Sequence, residues 1–186
     1  MPQKSRPNQR LADAAFRVLA KKPWSDISLA EISRLAKVPM SEVASCVPAK
    51  PALIGLMLRR MGEAVSKSYG RDRGSGTGRD RLFDVGMAWF DALAAHKSAI
   101  RSLYKGLRRD PLTLIAVRAD IVAAAEWLMA IAEADKGPMF SLRSLGFAMA
   151  LGRAVPVWLD DDDDLTKTMA QLDSDLRRGE NWLGKL

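Results

Sequence analysis

Apolar positions in the first 50 residues recur at helical spacing in three short blocks. Leu11, Ala15, Val18 and Leu19 share one face of a helix predicted over about 8–20, which Lys21-Lys22-Pro23 stops. Ser28-Leu29-Ala30-Glu31 has capping-box spacing: the Ser28 hydroxyl is expected to accept from the Glu31 amide while Glu31 reaches back. A second helix then covers about 29–36 and is expected to bury Ile32 and Leu35. Lys37-Val38-Pro39 turns the chain into a third helix over about 40–47. Three short helices closed in this way read as a helix-turn-helix.

The remainder is helical almost throughout. Pro48 and Pro51 bracket the start of a fourth helix over about 51–69, and residues 70–78, with four glycines, are expected as a flexible loop. Further helices are predicted over about 80–95, 97–109, 111–134, 139–159 and 163–183, with Pro111 suited to a first helical turn. No segment alternates like a strand. The expected fold is all-α, about nine helices: a three-helix module over 1–50 and a larger ligand-binding and dimerising helical bundle over 51–186.

Two faces of that bundle suggest contacts beyond simple packing. Gly146, Ala150 and Ala154 recur at four-residue steps, with Ala148 and Gly152 beside them, and Pro156 is expected to bend that helix near its end. Leu165, Met169, Leu172 and Leu176 form a narrow coiled-coil-like seam. Together they are the expected homodimer interface, an intermolecular four-helix bundle. Phe83, Met87 and Phe90, with Ile121, Ala125, Leu128 and an inward-facing Met149, are the expected lining of an apolar cavity for a hydrophobic small molecule or lipid. Core filling is the plainer reading of both sets.

Charge sharpens the picture because of where it sits. Residues 1–60 hold 11 Lys+Arg against 4 Asp+Glu, whereas residues 61–186 hold 18 of each, so the whole formal charge of +7 belongs to the first third. A basic module on a neutral body is the electrostatic footprint of nucleic-acid contact, the expected partner being double-stranded DNA, with a basic membrane-surface segment as the rival. One histidine, His96, and one cysteine, Cys46, leave little for a zinc site or a nucleophile–base pair, so no catalytic role, cofactor or metal is expected. The run Asp160–Asp164 cannot converge on one ion and suits a helix start instead. No apolar run approaches the ~18–20 residues of a membrane span. With no signal-type h-region and no disulfide possible, a cytoplasmic location is expected.

Residues 11–50 resemble the N-terminal domain of the tetracycline-repressor (TetR) family. They carry Ala14-Ala15-Phe16 in the first helix, Trp24 in the loop and Ser28 at the cap. Ile32-Ser33-Arg34-Leu35-Ala36-Lys37-Val38 stands at the turn and Lys50 at the start of the fourth helix. The resemblance implies a homodimeric repressor with the third helix in the major groove, released when an effector tilts the fourth helix. Lys50 and the cations Lys4, Arg6, Arg10 and Lys37 would meet phosphates, with Ser28 and Pro39 beside them. The departures fall on the reading helix. Lys37 replaces the family's turn glycine and Ala44 its tyrosine. Met40, Ser41, Glu42, Ala44 and Ser45 include no Arg, Lys, Asn or Gln for bidentate base contacts. Residues 79–103 and 157–180 also resemble the lipid-binding ubiquinone-biosynthesis accessory protein family. That likeness implies the alternative of an isoprenoid- or quinone-binding protein on the same fold without DNA activity.

Overall fold

Why the chain folds as it does is plainest in the first four elements. The computed structural model describes residues 7–69 and 76–183, so Lys4, Arg6 and most of the glycine-rich segment lie outside the described residues. Helix α1 (Pro7–Leu19) buries Leu11, Ala14, Ala15, Phe16, Val18 and Leu19. A 3-10 turn over Trp24–Asp26, not foreseen from the sequence, buries the Trp24 indole. Helices α2 (Leu29–Ala36) and α3 (Met40–Cys46) follow, each anchored by one central aliphatic residue, Ile32 and Val43. Leu35, expected in the core, is exposed instead; Ile32, Ser33 and Ala36 hold the buried face of α2.

The remaining elements are α4 (Ala52–Tyr69), α5 (Gly78–Ala94), α6 (Lys97–Arg109), α7 (Pro111–Ile131), α8 (Phe140–Leu159) and α9 (Thr166–Leu183). Among the described residues all regular structure is helical, so the fold is all-α. None of these helices is long and apolar enough to cross a membrane.

Two boundaries shift from expectation for identifiable reasons. Helix α7 stops at Ile131 because Glu133 adopts a left-handed φ of 52°. Arg81 then donates through Nε to the Ala132 carbonyl at 2.8 Å, satisfying backbone that the broken helix leaves open. Helix α9 begins at Thr166 rather than near Asp163 because Leu165 is left-handed, at φ 53°. Asp161 is the cap. Its Oδ2 accepts from both the Thr168 amide and the Thr168 hydroxyl at 2.7 Å. Burial opposes the charge on Asp161, but these hydrogen bonds and one from the Asp162 amide hold its carboxyl below the usual range.

Packing divides the chain into two units. The first combines residues up to Arg60 with His96–Asp120; the second combines Met61–Ala95 with the residues from Ile121 onward. The boundary expected at residue 50 thus lies inside the first unit, which also takes in α6. In that unit α1 packs against α2, α3 and α6, and α6 packs against the 3-10 turn. Gly106 permits this last approach: a Cβ there would lie 2.5 Å from the Trp24 Cβ. His96, at the start of α6, stacks on Phe16 with ring centroids 4.1 Å apart. In the second unit α9 packs on α8 and α5, and a Cβ at Gly86 would meet Leu172 Cδ2 at 2.8 Å.

Candidate nucleic-acid interface

The reading head is built by backbone accounting at the α2–α3 turn. Ser28 takes the N-cap of α2, its Oγ accepting from the Glu31 amide at 3.2 Å. The reciprocal half of the expected capping box is absent: the Glu31 carboxylate pairs with Lys22 Nζ at 2.7 Å. At the other end Lys37 adopts the left-handed conformation, φ 53° and ψ 44°, which a glycine would take without strain. Three bonds impose it. The Val38 amide donates to the Ser33 carbonyl at 3.1 Å, and the buried Ser33 hydroxyl donates to the Val38 carbonyl at 2.6 Å. Arg10 Nη1 donates to the Lys37 carbonyl at 3.1 Å.

Pro39 starts α3, and Val43 turns wholly inward. The opposite face then exposes Met40, Ser41, Ala44 and Ser45 together, since positions i, i+1, i+4 and i+5 lie on one side of a helix. Met40 is 48% exposed. Glu42 and Cys46 are half-buried at the flanks. The face is small, neutral and lightly polar.

Two of the expected phosphate cations already hold protein backbone. Arg10 braces the turn. Lys50 lies 4.8 Å above the Trp24 ring, and its ammonium donates to the Trp24 carbonyl at 2.6 Å and the Ser25 carbonyl at 3.3 Å. Burial lowers the Lys50 pKa, against the pull of Asp26 and Asp110. The Lys37 side chain remains exposed beside Pro39 and Met40.

The residues expected in the second unit separate. Phe90, Ala125 and Leu128 are buried as core side chains, and Phe83, Met87 and Ile121 are half-buried. Met149 is 52% exposed, which corrects its expected inward orientation: Phe147, Ala148, Ala150 and Leu151 hold the inner face of α8 around it. The expected dimer seam also changes. Ala150, Ala154, Leu172 and Leu176 are buried within the single chain, where α8 packs against α9, and fully covered side chains cannot reach a second copy. Leu165 and Met169 are half-buried. Gly146 does face outward, beside Leu142, Leu145, Met149 and Gly152. That exposed apolar stripe was missed, although the i, i+3, i+7 spacing of Leu142, Leu145 and Met149 was its signal.

This helical order can be compared with known proteins. No family model and no curated protein matches the sequence. Solved structures do match. A TetR transcriptional regulator from Rhodococcus sp. RHA1 superimposes over 98% of this chain and 100% of its own, with a TM-score of 0.65 at 12% identity. The fold is TetR-like. A TetR-family transcriptional regulator from Streptomyces coelicolor superimposes over 94% of this chain and 81% of its own, with a TM-score of 0.51 at 18% identity. At such identities the likeness concerns the fold. The resemblance of residues 79–103 and 157–180 to the lipid-binding accessory family gains no support from these matches.

Proposed function

We propose that this protein is a TetR-type transcriptional regulator that binds palindromic DNA as a homodimer. The observation that carries this reading is the exposed face of α3. On a TetR-like fold with all its excess charge in the first third, the side chains that α3 leaves exposed are Met40, Ser41, Ala44 and Ser45. Met40 and Ala44 suit thymine methyl groups, and the Ser41 and Ser45 hydroxyls suit base edges or phosphates. Such a face reads by fit and light hydrogen bonding, with affinity drawn from phosphate contacts by Lys4, Arg6 and Lys37. The second copy would pack against the exposed stripe of α8, with Gly146 and Gly152 letting the helices approach closely.

The test is Ala44→Glu. The substitution sits on solvent-exposed helix surface, so thermal stability should stay within about 0.5 kcal/mol. A carboxylate facing the groove floor should weaken duplex binding by at least about tenfold. Unchanged affinity, measured by fluorescence anisotropy on labelled duplex, would remove α3 from the interface.

A further inference from the structure

The first unit contains a cleft of about 910 Å³ between α6 and the segment that joins α1 to the 3-10 turn. Its volume falls in the range of small-ligand sites, roughly 300–1,000 Å³. Seven lysine and arginine side chains line it, against one carboxylate, Asp110. That carboxylate is already engaged: Oδ1 accepts from the Thr113 amide at 3.0 Å and Oδ2 from the Thr113 hydroxyl at 2.6 Å, capping the first turn of α7. Lys22 is paired with Glu31, and Lys50 is held by backbone carbonyls. Lys21 from the loop and Lys97, Arg101, Lys105 and Arg109 from successive turns of α6 complete the basic lining, Lys97 and Arg101 having interactions of their own within the chain.

The walls are fixed. Ser102 donates to the Lys22 carbonyl at 2.8 Å, and Gly106 lets α6 close onto Trp24. Apolar surface from Ala20, Pro23 and Pro51 lies among the cations. Concentrating this many like charges costs self-repulsion, which a bound anion relieves. Guanidinium and ammonium groups converging on a concavity suit phosphate oxygens. A duplex is a convex rod, and none of the α3 reading-face residues borders the cleft. We infer that this cleft binds a small phosphorylated organic anion, its phosphates held by the α6 cations and its apolar body resting on the proline-lined wall. The inference stands independently of the DNA reading.

The experiment is calorimetric titration of the full-length chain at physiological ionic strength with two probes, adenosine diphosphate and inorganic triphosphate. Saturable binding of adenosine diphosphate is expected, stronger than that of triphosphate. It should weaken by about tenfold or more in the Lys105→Ala/Arg109→Ala double variant. Lys21→Glu, on the opposite wall, should weaken it too and supplies a second variant should the first fail to fold. Absence of saturable binding of the nucleotide overturns the proposal, and so does binding of triphosphate alone. Equal nucleotide affinity in the folded variants would place the site elsewhere and overturn it as well. A loss of duplex affinity in these variants, with no nucleotide binding by the parent chain, would show the cleft to be a DNA contact instead.

Discussion

Lys37 concentrates the tension between local preference and tertiary demand. Its left-handed backbone costs a residue with a Cβ about 1–2 kcal/mol, and the surrounding hydrogen bonds of Ser33, Val38 and Arg10 enforce it. Lys37→Gly removes that strain, offset by the greater freedom of glycine in the unfolded chain. Chemical denaturation should show a gain of roughly 0.5–1 kcal/mol. A loss would mean that the lysine side chain itself holds the turn.

His96 supplies a pH-dependent counterpart. Burial lowers its pKa, with Asp13 raising it and Arg60 lowering it further. The folded state therefore prefers the neutral ring stacked on Phe16. Its contribution is complete above the ordinary value of about 6.5 and is lost as pH falls toward the lowered folded value. Unfolding free energy should decline over this window, and His96→Phe, which keeps the stack, should flatten the decline. An identical slope in the variant would assign the proton uptake to other groups. Neither behaviour was readable from the sequence. That Lys37 stands where the resemblance implies a glycine was visible at the turn, but the αL geometry and the Phe16 stack depend on chain segments brought together by folding.

Helices were legible wherever a single apolar stripe met a strong stop. The limits of α6 were anticipated as observed, because His96 and Asp110-Pro111 punctuate both ends. Faces were harder. In α8 apolar and small residues occur all round, so periodicity alone could not separate Ala150 and Ala154, packed inward, from Leu142, Leu145 and Met149, turned outward. The 3-10 turn escaped notice because three residues carry no period, yet it shapes both the carbonyl contacts of Lys50 and the α6 cleft. Gly106→Ala tests that junction. Alanine raises helix propensity by about 1 kcal/mol, while overpacking costs about 1–3 kcal/mol. The 2.5 Å approach to Trp24 Cβ belongs at the upper end of that cost. Urea unfolding should show a net loss of roughly 1–2 kcal/mol; a stabilised variant would mean that α6 and the turn part freely.

At the scale of the whole molecule, a TetR-like order of helices carries two features of its own: a reading helix without long polar side chains, and a basic cleft beside α6. The charge asymmetry that pointed to DNA was legible because it needs only counting. The proposed dimer surface was not, since it depends on which side of α8 the core leaves uncovered. On the proposed function, α3 reads sequence and two copies read together. Selection of binding sites from a random duplex pool, run at low and at physiological salt, tests both parts at once. A palindrome with half-sites about one helical turn apart, around 10 base pairs, is expected to remain enriched at the higher salt. Binding that fades with salt and enriches no sequence would contradict it, leaving a basic surface whose reading helix does not read.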